Sequence, residues 1–466
     1  MKPGILAILI FALSGCGSVL ESDYQRPTVS VPDGWRVRDS GPAWLHGTPH
    51  WWDNFQDPLL SSTIDSMLLS NSDLAKAGLL LQEARLSAGL ANTTLLPDAT
   101  LGGSANRSSN LKGSSNTAES YSAVYSLSYE LDLWGKLSSS RRQAEWLVKA
   151  SEQDRQNTAL TLVGTTADFY WQIAMLNQQI DAQKSAAGLA EQTLRLVDSR
   201  YRAGAAGRVE YLQAQQSLMD KQNQLTALDQ QREAARNSLA LLFNGSPLSR
   251  RAEKRSQDYT QQIAVAQSLP VATLAARPDV QAAEWRLRAA LSGSDVARLS
   301  FFPSVSLNAS LNAGSTVFQQ WFNNPVGALG SAVALPFVQW NTVRLTIAQS
   351  DLKVQEAAID FRQAVYTALS EVDNAQTQRV SYLRQREQQL ENQRLSEERV
   401  ALAQSQYRAG AISLQSLLDA QDALLSSEIS LANLHYGYLN ATMKLWLALG
   451  GGVAYPKNEQ GHSDEQ

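Results

Sequence analysis

The chain has 466 residues, a formal net charge of −4 and a charged fraction of 18%. So small a net charge leaves no electrostatic footprint for nucleic acid, which excludes that class of partner. Long stretches are instead rich in Ala, Leu, Gln and Ser, a composition that favours long helices with small residues at their contacts.

Residues 1–15 predict an export signal, with Lys2 as the positive start and residues 5–13 as the apolar core. The string Leu13-Ser14-Gly15-Cys16 resembles the bacterial lipobox, in which the cysteine is acylated and becomes the mature N-terminus. Cys16 is the only cysteine, so an internal disulfide is excluded. We predict a lipid anchor at Cys16 in the outer membrane; an ordinary signal peptide is the alternative.

Prolines punctuate residues 16–57, which predicts an extended arm that lies against something larger. Pro58 is well placed in the first turn of a helix, and helical pattern runs to about Asn92. No later stretch of about 20 apolar residues follows the signal, so no transmembrane helix is expected.

Two segments change to a period of two. Residues 121–133 place apolar side chains at odd positions and mostly polar ones at even positions, and residues 304–312 alternate in the same way. Such alternation is typical of strands with one apolar face. We therefore predict β-hairpins over 98–134 and 304–338, with Pro336 at the end of the last strand or at a bulge.

A long helix and a return helix follow each hairpin. The long helices are predicted over 138–203 and 344–409, each roughly 95–100 Å at 1.5 Å per residue. A coiled-coil seam runs through the first, interrupted by Gln183, whereas Arg379 and Arg386 stand at seam positions of the second. Each long helix ends at an Arg-Ala-Gly turn, and the return helices are predicted over 209–243 and 413–449.

The chain is an internal duplication at an offset of 206. Trp134 aligns with Trp340, Tyr201 with Tyr407 and Gly245 with Gly451, and the alignment of the two copies needs no gap. A unit length that has not drifted indicates that both copies span one fixed distance, because surface loops tolerate insertions. The repeats are assigned to 58–245 and 278–451, with a segment between them over 246–277 and a C-terminal tail over 452–466.

Four strands with an apolar face are too few to close a membrane barrel, whose smallest known form has about eight. Open edges are not tolerated in hydrocarbon, so the ring must be shared among chains. Three chains give twelve strands, an even number, in a cyclic arrangement of identical subunits. The alternative is a soluble hairpin packed on helices.

The order of several motifs resembles the TolC-like outer-membrane efflux family, in particular its lipoprotein branch. The motifs are the lipobox, Asp23-Tyr24-Gln25-Arg26-Pro27, Trp52-Asp53-Asn54-Phe55, Asp57-Pro58-Leu59, Leu131-Asp132-Leu133-Trp134-Gly135-Lys136, Arg277-Pro278-Asp279-Val280 and the two Tyr-Arg-Ala-Gly turns. The resemblance implies a mainly α protein and a homotrimer. Its transmembrane hairpin pairs form a twelve-stranded β-barrel continuous with a long periplasmic α-helical barrel. It also implies a periplasmic adaptor protein and an inner-membrane pump as partners.

The resemblance also places a gate at the closed periplasmic end. Asp419 matches an acidic residue that rings the pore, whereas Ser416 stands where related channels carry a second acid. Tyr407 matches a residue that latches the closed state, but its usual arginine partner is replaced by Ile412. A latch would then use another arginine, with Arg202, Arg208 and Arg408 as candidates. The alternative for Asp419 is an ordinary surface carboxylate.

The two glycine turns are expected to be the exposed tips of the helical tube, so a partner that docks end-on must touch them. The predicted docking residues are Arg202, Ala203, Gly204, Arg408, Ala409 and Gly410.

No acid–base, nucleophilic, metal or phosphate-binding constellation is present in the sequence. We therefore predict a passive exit duct of a tripartite efflux system, without cofactor or enzymatic activity, for drugs or other small toxic compounds. The alternatives are the exit channel of a type I-like protein secretion system and a lipid-tethered periplasmic coiled-coil scaffold.

Overall fold

The computed structural model describes residues 21–30, 50–109, 117–246, 251–255, 258–263, 271–320 and 322–451. The predicted signal peptide, Cys16, most of the proline-rich arm and the tail over 452–466 lie outside these ranges. Within them, no helix is both long enough and apolar enough to cross a lipid bilayer.

The chain forms two compact units. The strand-bearing unit contains residues 78–154 and 281–364 together with the start of the chain up to Val29. The helical unit contains residues 30–77, 155–280 and 365–466.

The strand-bearing unit contains one antiparallel sheet of four strands in chain order, so the two predicted hairpins are present and pair with each other. The strands are β1 (Asp98–Ser109), β2 (Thr117–Leu131), β3 (Ser304–Ser315) and β4 (Pro325–Ala334). β4 ends before Pro336, which opens a short 3₁₀ turn over Pro336–Val338, because proline cannot donate to a ladder.

The register of the sheet places apolar residues beside apolar residues and polar residues beside polar residues. Ala99, Leu127, Ala309 and Leu329 form one row across all four strands, and Leu329 is 87% exposed. On the other face the hydroxyls of Thr100 and Ser126 lie 2.6 Å apart. The period-2 pattern therefore yields an exposed apolar face opposite a hydrogen-bonded polar face, as a strand between lipid and water requires.

In the same unit the arm residues 21–30 contact helix α5 (Pro278–Leu299). Ser22 Oγ donates to Asp295 Oδ1 at 2.6 Å, and Arg26 pairs with Glu284 at 3.1 Å. Between them the guanidinium of Arg288 lies 4.1 Å from the centroid of the Tyr24 ring. Charged and aromatic contacts thus hold a segment that forms neither helix nor strand.

The predicted first helix is wrong in one respect, because it is two helices, α1 (Pro58–Ser70) and α2 (Ser72–Thr93). Asn71 separates them with an extended backbone, φ −71° and ψ 130°. Its side-chain oxygen accepts from the backbone N–H of Asp73 and Leu74 at 2.8 and 3.0 Å, and its amide donates to Leu242 O at 2.8 Å. These bonds satisfy the first donors of α2 and favour the break.

The long helices are α3 (Lys136–Arg202) and α6 (Trp340–Arg408), and their return helices are α4 (Arg208–Leu241) and α7 (Leu414–Ala448). The residue that interrupts the seam binds the return helix in both copies. Gln183 donates to the backbone carbonyl of Lys221 at 2.8 Å, and Gln389 donates to that of Ser427 at 3.1 Å. Donor and acceptor of the two hydrogen bonds are both related by the offset of 206. The glutamine in the seam therefore joins the long helix to the return helix in each repeat.

The arginines in the seam of α6 are buried, each 2% exposed. Arg379 Nη2 donates to Ile263 O at 2.7 Å, and Arg386 Nη1 donates to Gln261 O at 3.1 Å. Both guanidiniums also lie over the ring of Tyr438, at 5.4 and 4.6 Å from its centroid. The second seam carries arginines at these positions because they bind the backbone carbonyls of Gln261 and Ile263, between the repeats, as well as packing on Tyr438 of α7.

Candidate functional site

The two turns that join long and return helices have the same backbone conformation. Gly204 and Gly410 have φ of +75° and +74°, a region that side chains other than glycine rarely occupy. In each turn the glycine N–H donates to the carbonyl three residues back at 3.0 Å, and the next N–H donates five residues back at 2.8 Å. This is the Schellman arrangement, which satisfies the last carbonyls of the helix while reversing the chain.

All six predicted docking residues are exposed. They are Arg202, Ala203, Gly204, Arg408, Ala409 and Gly410. Directly behind them is an apolar cluster that includes Val197 from α3, Ala214 from α4, Val400 from α6 and Leu417 from α7. The cluster holds the ends of both helical hairpins together within the helical unit.

Tyr407, only 2% exposed, belongs to this cluster and contacts the first repeat through Arg200. Arg200 Nη1 donates to the backbone carbonyl of Tyr407 at 2.9 Å, and the guanidinium lies 4.8 Å from the centroid of the tyrosine ring. Arg200 thus takes the position expected for Arg202, Arg208 or Arg408. Arg202 instead pairs with Asp198 of its own helix at 2.9 Å.

An acidic residue of the first repeat faces the same tyrosine. Burial raises the pKa of Tyr407, and the negative charge of Glu210 raises it further. Among the described residues neither the Tyr407 hydroxyl nor Glu210 Oε2 has a hydrogen-bond partner, although both atoms are buried. A donor and an acceptor are therefore brought together by packing, with the hydrogen-bonding capacity of both unused.

The acidic residues of α7 differ in their surroundings. Asp419 is exposed and accepts from Gln415 of its own helix, at 2.7 Å. Asp422, one turn further on, is bound to Lys221 of α4 at 2.5 Å. Ser416 serves the start of the helix, where its N–H donates to Ser413 Oγ at 3.2 Å. Asp419 is thus the exposed carboxylate of this face that lacks a cationic partner in the described part of the chain.

Reasoning from the sequence missed Arg200, Glu210 and Lys221, although the duplication carried a signal for all three. At the offset of 206 their counterparts are Gln406, Ser416 and Ser427, none of them charged. The buried tyrosine itself repeats as Tyr201, which is exposed and stacks on Tyr211 at 5.6 Å. At these three positions a charged residue of one copy, with an uncharged counterpart in the other, lies at a contact between the repeats.

Comparison with known proteins identifies the family to which this chain belongs. The family model for outer membrane efflux proteins matches residues 63–245 and 269–451, two segments separated by the offset of the duplication. The chain belongs to the outer membrane efflux protein family.

Similar family members span nearly the whole chain. The pyoverdine export outer membrane protein OpmQ of Pseudomonas aeruginosa is 31% identical over 465 residues, covering 97% of each chain. Toxin and drug export protein A of Aggregatibacter actinomycetemcomitans is 28% identical, over 86% of this chain and 88% of its own. The crystal structure of CusC aligns with a TM-score of 0.82 and 25% identity, over 93% of this chain and 99% of that one.

Family membership confirms the function, fold class and location expected from the sequence. The protein is an outer-membrane efflux channel that extends into the periplasm. It works as a trimer, with a periplasmic adaptor and an inner-membrane pump as its partners.

Proposed function

We propose that this channel conducts small organic molecules passively and that it opens and closes at its two glycine turns. The relative named for pyoverdine export supports a small organic cargo, because it shares 31% identity over almost the full chain. No step in such conduction requires a reacting group, and the family is one of channels.

The buried position of Tyr407 between Arg200 and Glu210 carries the gate assignment. Arg200 and Glu210 belong to the first repeat and Tyr407 to the second, so these contacts hold one helical hairpin against the other. In the closed state Arg200 holds the ring of Tyr407 and its carbonyl, while the buried hydroxyl of Tyr407 faces the Glu210 carboxylate. Opening requires the second hairpin to leave this position, which breaks both contacts of Arg200 and separates the hydroxyl from the carboxylate.

Asp419 supplies the charge at the constriction. In a trimer three copies of this carboxylate surround the axis, where they attract cations and narrow the passage. The ring is single, because Ser416 carries no charge and the negative charge of Asp422 is balanced by Lys221.

The exposed turns are the docking surface for the adaptor. The positive φ of their glycines reverses the chain directly after each long helix, and the flanking Arg202 and Arg408 are exposed at these turns. A partner that approaches end-on meets these residues first. We further propose that Cys16 carries the lipid anchor, as the lipobox predicts.

Substitutions at Gly410 test the docking surface. Gly410→Ala and Gly410→Trp impose the same penalty of about 1–2 kcal/mol for a side chain at positive φ, and a Cβ atom at this position meets no atom within 4 Å. In a strain that lacks its own channel, we expect Gly410→Ala to retain most export of a fluorescent efflux substrate. Gly410→Trp should lose most export, because the indole blocks docking.

Both variants must still form heat-sensitive trimers on a gel, since the substitution lies outside the subunit core. Undiminished export by trimeric Gly410→Trp would rule out the turn as a docking site.

A second candidate, export of proteins, is favoured by the relative whose name includes toxin as well as drug export. The same deletion strain separates the two. A small-molecule channel restores resistance to toxic compounds when paired with a drug pump. A protein exporter restores secretion of a passenger protein when paired with a secretion pump.

A further inference from the structure

The helical unit contains a basic pocket that the gate does not involve. It lies between α3, α4 and residues 251–255, with a volume of about 540 Å³. Its lining residues are Asn177, Asp181, Lys184, Arg232, Arg236, Arg251, Glu253 and Arg255. A cavity of this size falls within the range of sites for small ligands.

Cations outnumber acids in this lining. Five of the eight side chains are cationic and two are acidic, a difference of three positive charges, in a chain whose net charge is −4. A local excess of one sign against the overall balance indicates a partner of the opposite sign.

Two of the arginines are fixed in place. Arg236 makes a two-pronged contact with Glu253, at 2.6 Å from both Nε and Nη2, and pairs with Glu233 at 2.5 Å. Arg232 pairs with Asp229 at 2.7 Å, while its Nε is buried without a hydrogen-bond partner in the described part of the chain. These contacts hold the walls of the pocket before any ligand arrives.

The other three cations are not neutralised. Lys184, Arg251 and Arg255 are exposed, and none forms an ion pair within the described ranges. Arg251 lies 3.3 Å from the centroid of the Phe243 ring, a contact that holds its guanidinium through its face and leaves its N–H edge available. Three like charges around one cavity repel one another, so an anion that separates them lowers the free energy.

We propose that the basic pocket binds a short peptide that carries two or more carboxylates. Arginine and carboxylate match in two-pronged geometry, and the three cations come from two segments, Lys184 from α3 and Arg251 and Arg255 from residues 251–255. Asp181 and Glu253 lie among them and oppose a compact dianion such as phosphate. Carboxylates spaced along a peptide carry one charge each, so each of them pairs with one cation.

Titration calorimetry on the detergent-solubilised trimer tests this site with tri-glutamate as the probe. We expect tri-glutamate to bind, with affinity that falls as salt rises, and tri-glutamine and inorganic phosphate to bind at least tenfold more weakly. The double variant Lys184→Glu/Arg255→Glu should lose about tenfold in affinity per charge. Both side chains are exposed and form no ion pair with the described residues, so the variant keeps its fold.

Arg384→Glu on α6 is the matched control, because Arg384 is also exposed but does not line the pocket, and it should bind tri-glutamate as the wild type does. Equal binding of tri-glutamate by the double variant and the wild type would overturn the proposal, as would phosphate binding as tightly as tri-glutamate. None of these residues contacts Tyr407, so conductance stays unchanged and failure here leaves the gate assignment intact.

Discussion

Removing the guanidinium of Arg200 should loosen the closed end of the channel. Arg200 makes two contacts with Tyr407, a hydrogen bond of 2.9 Å to its carbonyl and a ring contact at 4.8 Å. Arg200→Ala removes both and leaves the apolar cluster behind the turns untouched. The closed state therefore loses stability relative to the open state, in which these contacts are absent.

The size of the effect follows from the two contacts. A hydrogen bond from a charged donor is worth about 1.5–3 kcal/mol and an exposed cation–π contact about 0.5–1 kcal/mol. Arg200 is half-buried, so the lower ends apply and the sum is about 2 kcal/mol per subunit. That sum shifts the closed-to-open equilibrium about thirtyfold in one subunit, and by up to about 10⁴-fold if three subunits open together.

Single-channel recording in planar bilayers measures this equilibrium as open probability. Arg202→Ala is the matched control, because Arg202 lies on the same helix end but pairs only within that helix, with Asp198. We expect long openings for Arg200→Ala and wild-type behaviour for Arg202→Ala. If the two variants opened equally often, or if neither differed from the wild type, Arg200 would not hold the gate.

Three further outcomes are expected. Asp419→Asn should lower the channel's preference for cations about fivefold in reversal-potential measurements, since two unit charges 4 Å apart in water interact by about 1 kcal/mol. Asp422→Asn should change this preference little, because the Asp422 carboxylate is already paired with Lys221. Burial lowers the pKa of His435 to about 3, so below pH 6.5 the unfolded chain binds more protons than the native state. The free energy of unfolding therefore falls by about 2 kcal/mol between pH 7 and pH 5. His435→Gln should flatten this pH dependence, as measured by thermal unfolding. Gly451→Ala should lower the free energy of unfolding by about 2 kcal/mol more than Gly204→Ala does. Both glycines have positive φ, but of the two only Gly451 has side chains close enough to clash with an added methyl group. Equal losses in the two variants would refute the clash at Gly451.

Most of the local structure could be predicted from the sequence, because strands and helices are marked by periodic side-chain patterns and helix ends by glycine. The period of two at residues 121–133 predicted a strand, and Gly204 and Gly410 predicted the helix ends, since few other residues adopt their φ. The break at Asn71 was missed. Asn71 is buried, so its amide needs a partner within the protein, and that partner, Leu242 O, lies 171 residues away.

The contacts of Tyr407 were predicted only in part, for the same reason. Resemblance selected Tyr407, but its contacts depend on how the first helical hairpin packs against the second. Arg200 precedes Tyr407 by 207 residues and Glu210 precedes it by 197, and no local pattern connects such positions.

The sequence by itself determined the duplication, the hairpins, the long helices and the family, because these depend on order and period along the chain. Tertiary structure alone decided which charges are neutralised. Lys221 neutralises Asp422, and Arg379 and Arg386 are buried on carbonyl oxygens. Lys184, Arg251 and Arg255 line one pocket without an ion pair in the described part of the chain. A charge is visible in a sequence, but its free energy depends on what lies within a few ångströms of it in space.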